Sequence, residues 1–520
     1  MTLPIRIAAL TILLMRALVA IAAPAAPELS ADQQASHVLN RLGYGPKPGD
    51  IGRVEQMGIA RYIDAQLHPE TIALPAALTQ RLKLLQITNA SAGEVLAEFL
   101  EVRKAASGGD LAAKQKQREV VARIVEQNAE ARIARAVDSP RQLEEVMVDF
   151  WFNHFNVYAG KGLDRALIGS YERDAIRPYV LGSFRDLLGA TAKHPAMLFY
   201  LDNWLSTSVD YQSGQSKKNS ASGQKAKASG LNENYARELM ELHTLGVDGG
   251  YSQDDVTELA RMLTGWTFAP RELMRNNRTF GFDMQRHDMG DKQWLNHHVG
   301  AQGQGEGEFA LDVLAMHPAT ARHLSYELAQ YFVEDNPSPE LVARLSRRYI
   351  ESNGNIGEVL RTLFHSADFM AAANIGAKFK TPYQFVISAV RASQVPIANV
   401  RPLQGVLNQL GMPLYGAQTP DGYKNTKAAW LNPDALTRRI TFATALAAGR
   451  LDLNKLPAKV SASDSNPADV AATAAQPLDA DTLLDTLGPA ISVKTRAVIS
   501  NNPVNLRAAM VLGSPDFMQH

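Results

Sequence analysis

The chain has 520 residues, 46% hydrophobic and 20% charged, which is enough apolar mass for a large core. Its 53 basic and 53 acidic residues cancel, so no overall field draws it to nucleic acid or to an anionic membrane. It contains no cysteine, which excludes disulfides, thiolate-bound metal, all-cysteine iron–sulfur clusters and a cysteine nucleophile.

Residues 1–25 read as a signal peptide. Arg6 supplies the positive start, Ile7 to Val19 are mostly apolar, and Ala20-Ile21-Ala22 or Ala23-Pro24-Ala25 offers small residues for cleavage. The expected location is therefore periplasmic or secreted. No later segment reaches a length that would cross a bilayer, so the mature chain is expected to hold no transmembrane segment and to have no nucleic-acid partner.

From Ala31 the pattern is helical almost throughout. Val38, Leu39 and Leu42 share a face before a Gly- and Pro-rich turn at Gly43 to Gly49. A long Ala/Lys/Arg/Glu/Gln stretch runs to Val137, and Pro140 suits the first turn of the next helix. That helix carries RQLEEVMVDFWFNHFNVY. Its aromatic residues fall on several faces, which predicts burial all round. Asp149, Asn153 and Asn156 form a polar line within it that needs partners. Residues 206–230 are rich in Ser, Gly, Lys and Gln and read as a mobile insertion, and 457–476 read as a loose segment.

Leu231 to Phe268 carries the densest mixture of charge and apolar mass. At about 100° per residue, Asn234, Arg237, Glu238 and Glu241 share one face of a helix. Gly246 is the expected stop. A second helix starts at Ser252 with Asp255 three residues on, the spacing of a capping box. Glu258 and Arg261 lie one turn apart and are positioned to pair. The segment Thr279 to Val299 then alternates Phe280 and Phe282 as a short strand does, and it holds the richest local cluster of His and Asp. A Gly/Gln/Glu loop is read at Gly300 to Glu308, and helices resume afterwards. No Pro-Gly linker divides the chain. The predicted fold class is mainly α: one large irregular multi-helix domain over residues 31–520, with small β hairpins.

Several reaction classes lack their signatures. No H-E-x-x-H, G-x-S-x-G or phosphate-binding glycine motif is present. Glu238 and Glu241, one turn apart, have the placement of acid/base groups or of ligands to a hard divalent ion. His287, Asp288 and the buried-helix residue His154 are further donors. The expected site is therefore catalytic Glu238, Glu241, Arg237 and Arg261, the arginines clamping an anion, with His287, Asp288, Glu238 and His154 as ligands to a divalent metal ion. This requires RHDMGD to fold back on the polar face of the Asn234 to Glu241 helix. The competing expectation is a non-catalytic envelope protein that binds a partner, with the same charges forming a structural ion-pair network.

The blocks HVLNRLGYGPKPGDI, FWFNHFNV, RPYVLGSFRDLL, HPAMLFYLDN, NENYARELMELHTLGVDGGYSQDDVTELARMLTGWTF, RHDMGDK and AAWLNPDALTRR resemble the bacterial family catalogued as domain of unknown function 1800. The resemblance runs along nearly the whole mature chain. It implies an exported, mostly helical protein of unassigned activity. It also implies a co-encoded exported protein, sulfatase- or phosphatase-like in outline, as a partner.

Overall fold

The structure, a computed structural model, describes residues 29–211, 230–455 and 476–520. The expected signal peptide, most of the 206–230 insertion and nearly all of the 457–476 segment lie outside the described residues. The chain is 62% helical, and among the described residues the sheets are two antiparallel strand pairs, as the mainly α expectation requires.

Eight helices position the functional regions. They are α1 (Ala31–Arg41), α2 (Leu111–Asp138), α3 (Gln142–His154), α4 (Glu233–Glu241), α5 (Gln253–Met262), α6 (Gln304–Met316), α7 (Pro318–Phe332) and α8 (Pro382–Ser393). One buried apolar cluster extends from Ala35 to Met518, so the two ends of the described chain share a core.

α3 lies in the middle of that core. Trp151 and Phe155 are fully buried, and Phe150 and Phe152 nearly so. The helix begins at Gln142 rather than at Pro140, because Ser139 and Pro140 stay outside and Gln142 turns its amide back onto the carbonyls of Ala136 and Ser139. Its polar line does find partners. Asn153 donates to the Tyr423 carbonyl at 2.8 Å and accepts from the Tyr423 amide at 2.7 Å. Asn156 donates to the carbonyls of Ala417 and Thr419 at 3.0 and 2.8 Å. The half-buried Asn153 and the buried Asn156 thereby fix the otherwise irregular segment 412–425 to the core helix.

α4 and α5 pack side by side, linked by Thr257 and Gln253 donating to Glu233. α4 stops at Glu241, before the expected Gly246. The His243 amide bonds the Glu238 carbonyl at 3.0 Å, and Thr244 Oγ1 takes the Leu239 carbonyl at 2.6 Å, which unwinds the last turn. α5 starts at the expected capping box: Ser252 and Asp255 bond each other's amides at 2.8 and 3.1 Å. The strands β1 (Trp266–Thr267) and β2 (Gly281–Phe282) pair Trp266 with Phe282. The strands β3 (Lys292–Trp294) and β4 (His297–Val299) pair Trp294 with His297.

Candidate functional site

The residues predicted to form one site fall into two separate places. The first surrounds RHDMGD. Arg261 on α5 holds Asp288 in a two-point contact at 3.0 and 3.1 Å, and it also takes Glu258 at 2.8 Å. Burial works against the Asp288 carboxylate, but the hydrogen bonds from Arg261 and the Gly290 amide, with the charges of Arg261 and Lys292, together outweigh it and hold the proton affinity below the usual range. His287 is sealed from solvent. Its Nδ1 donates to the Thr264 carbonyl at 2.8 Å, and its Nε2 faces Glu306 Oε1 at 3.0 Å. Lys292 Nζ meets the other Glu306 oxygen at 2.6 Å, and both side chains are 0% exposed. The amides of Gln302 and Gly303 complete the shell around Glu306 at 2.9 and 3.2 Å.

This cluster docks RHDMGD on α5 and α6, where the sequence predicted the polar face of α4. The reason is a counterion that the local sequence pattern places in a loop. Glu306 sits in the first turn of α6, fully buried, and pulls both His287 and Lys292 toward itself. With both His287 nitrogens and both Asp288 oxygens engaged, the predicted metal set of His154, Glu238, His287 and Asp288 is not assembled here. Among the described residues no group of three or more His, Asp or Glu side chains is arranged to hold a metal ion.

The second place is a cleft of about 280 Å³ between α3, α4, α7 and the segment 412–425. Here the structure does bring together two predicted residues, His154 from α3 and Glu241 from α4. His154 ends the aromatic helix with its side chain 3% exposed. Its Nδ1 lies 2.8 Å from Glu327 Oε2 and its Nε2 lies 3.2 Å from the His243 carbonyl. Glu327 is itself 31% exposed, and its second oxygen lies 3.7 Å from His323 one turn away on α7. Burial raises the proton affinity of Glu327, but the charge and hydrogen bond of His154, with His323 beside it, bring the carboxyl below its ordinary range. Gly246, at φ +82°, makes room for His323. A Cβ there would stand 3.0 Å from His323 Nδ1, in a backbone conformation that L side chains rarely adopt.

Asp149, Asp421 and Lys424 reach the same cleft. Asp421 and Lys424 pair at 2.9 Å on its rim. Asp149 is 9% exposed and touches Arg132 on α2 in a short ion pair. Burial raises its proton affinity, and Arg132 opposes without cancelling that rise. Two carboxylates facing one cleft are therefore displaced in opposite directions, Asp149 upward and Glu327 downward. Beneath them Arg132 also pairs with Glu172 at 3.1 Å, and Arg177 pairs with Glu145 at 2.9 Å and with Glu172 at 3.3 Å. Glu172 stands on a single π-helical turn, Tyr171–Ile176. Tyr415, held at φ +56°, donates to Glu172 at 2.8 Å, so the cleft segment is anchored in the buried network through a strained residue.

The remaining predicted residues, Arg237 and Glu238, are not among those lining the cleft. Arg237 pairs with Glu233 at 3.3 Å and donates to Gln253 at 2.9 Å, which ties α4 to α5. Glu238 is half-buried, and burial together with Glu241 raises its proton affinity against the pull of Arg237. His323 and Glu327, with Asp421 and Lys424, are cleft residues outside the predicted set. The His-x-x-x-Glu spacing of His323 and Glu327 on a helix was the available signal.

No curated protein and no solved structure matches the chain. Among protein families, the one described as "Protein of unknown function (DUF1800)" matches residues 37–519. That match covers nearly all of the sequence, and the chain belongs to this family.

Proposed function

We propose that the chain is an exported enzyme that performs acid–base chemistry on a small polar substrate in the cleft of α3, α4, α7 and 412–425. The observation that carries this reading is the convergence of Asp149, His154, Glu241, His323, Glu327, Asp421 and Lys424 on one cavity, from segments far apart in sequence. Export rests on the apolar start of the chain with its small-residue cleavage pattern.

The two displaced carboxylates suggest the division of labour. Glu327, kept ionised by His154, is the proton acceptor or charge stabiliser. Asp149, held by Arg132 in an ion pair, is the second carboxylate facing the substrate. His154 is a positioning residue, since its Nε2 is turned to the His243 carbonyl and away from any substrate. Glu241 at the mouth contributes to substrate binding. The arginine–glutamate network under the cleft fixes Asp149 and the segment 412–425.

For the other half of the predicted set, the structural reading is favoured. His287 belongs to a cluster centred on the Glu306 carboxylate, 0% exposed, where no substrate reaches, and Asp288 and Arg261 at its edge are occupied by each other and by Glu258. The test is a panel of chromogenic glycosides, esters and phosphoesters assayed with the purified chain, Glu327→Gln and Glu306→Gln. On any substrate turned over, Glu327→Gln should lower the rate by about 100-fold or more while folding normally. Turnover that survives in Glu327→Gln would place the chemistry elsewhere.

A further inference from the structure

The cleft of α3, α4, α7 and 412–425 is unbalanced in charge. Asp149, Glu241, Glu327 and Asp421 line it against a single lysine, Lys424, and no arginine stands among the lining residues. Two of these four carboxylates are answered. Lys424 is committed to Asp421 on the rim, where its side chain is 66% exposed, and Arg132 answers Asp149 from beneath. Glu327 has the histidines His154 and His323 within ion-pair distance and no lysine or arginine. Glu241 forms no ion pair among the described residues, and the Tyr251 hydroxyl is its neighbour.

These carboxylates have oxygens that a ligand can reach. Glu327 gives Oε2 to His154, whereas Oε1 has no hydrogen-bond partner on a side chain that is 31% exposed. Asp149 is nine-tenths buried and gives Oδ1 to Arg132. Its Oδ2 has no partner and is not sealed, and the residue lines the cavity. Ionised carboxylates only accept, so an occupant has to donate. Uncompensated negative charge in a partly enclosed cavity attracts a cation and repels an anion. Phe150, Tyr331 and Tyr423 supply aromatic wall, which favours a cation as well. Among the described residues no three His, Asp or Glu side chains converge as metal ligands, so the fitting cation is one that brings its own N–H donors.

We propose that the cleft takes a substrate bearing a primary ammonium group, which donates to the free oxygens of Glu327 and Asp149 while Glu241 attracts it at the mouth. This rests on the cleft being the substrate site. Calorimetric titration of the full chain with putrescine and D-glucosamine, and separately with D-glucose, D-glucuronate and magnesium chloride, tests it. Saturable binding of an ammonium compound is expected, weakened about tenfold or more by Glu327→Gln and by Glu241→Gln. Should Glu327→Gln fail to fold, Glu241→Gln decides. Saturation by neither ammonium compound, preference for glucose, glucuronate or magnesium, or unchanged affinity in the folded variants would overturn the proposal. Ammonium binding with no turnover of any substrate would support it and count against acid–base catalysis. Glu327-dependent turnover of a substrate without an ammonium group, with neither ammonium compound bound, would do the reverse.

Discussion

Two histidine–carboxylate pairs in this protein are chemically alike and differ in what surrounds them. His287 and Glu306 meet at 3.0 Å, and His154 and Glu327 meet at 2.8 Å. In each, the second ring nitrogen faces a backbone carbonyl. The first pair is 0% exposed on both sides and shares its carboxylate with a buried lysine. The second opens through Glu327 onto a cleft shared with Asp149, Glu241 and Lys424. The same residue types thus act as a fold clamp where solvent is excluded and, on the proposed reading, take part in chemistry where it is admitted. Composition does not separate the two cases; access does.

The largest expected effect lies on the sealed side. Glu306→Ala leaves His287 and Lys292 without their counterion, and stability should fall by about 3–5 kcal/mol in denaturant unfolding. A loss below about 1 kcal/mol would mean that water or another carboxylate replaces it. Next is Gly307→Ala, one residue along α6. An added Cβ would stand 2.4 Å from the buried Trp266 ring, so overpacking of about 1–3 kcal/mol is expected from the same measurement. Wild-type stability at Gly307→Ala would show that the sheet β1–β2 yields freely.

The pH dependence sharpens the comparison. Glu306 and Glu327 both have proton affinities held below the ordinary range: in each, burial raises the value and the partners overcome it. A depressed folded-state value contributes stability that is fully present above the unfolded glutamate range, about pH 4.3. That contribution is lost as the pH falls through the folded-state values. Unfolding followed from pH 7 down to pH 3 should show this acid loss, and Glu306→Gln should flatten it more than Glu327→Gln does. Equal flattening would erase the distinction between a sealed and an open pair. The smallest effect belongs to Arg261→Met. Its ion pairs are about a quarter exposed, so a loss of about 1 kcal/mol is expected in thermal unfolding.

The local elements were legible in the sequence. The aromatic periodicity of FWFNHFNV predicted the buried helix, Ser252 with Asp255 predicted the cap of α5, and Glu258 with Arg261 predicted a pair that forms at 2.8 Å. These are contacts within one or two turns, which spacing alone specifies. Glu306 was hidden by its neighbours. Gly305 and Gly307 have poor helix propensity, so Gly300 to Glu308 read as a loop, yet Gly307 is needed where Trp266 approaches α6. Half of the cleft was legible in the same limited way. His154 and Glu241 were named, but their companions Glu327 and Lys424 lie 173 and 270 residues beyond His154, with Asp421 just before Lys424. Only packing of α7 and of the Asn153-bound segment brings them in. RHDMGD was assigned to the wrong helix because a counterion outside the local pattern attracts it.

The central claim is that the open pair performs chemistry and the sealed pair holds the fold. Glu327→Gln and Glu306→Gln compared for turnover and unfolding free energy in one buffer test it most directly. Glu327→Gln should lose turnover by about 100-fold or more with a stability change of about 1 kcal/mol, whereas Glu306→Gln should lose stability and keep the turnover of its folded fraction. Turnover retained in Glu327→Gln, or lost in folded Glu306→Gln, would contradict the assignment.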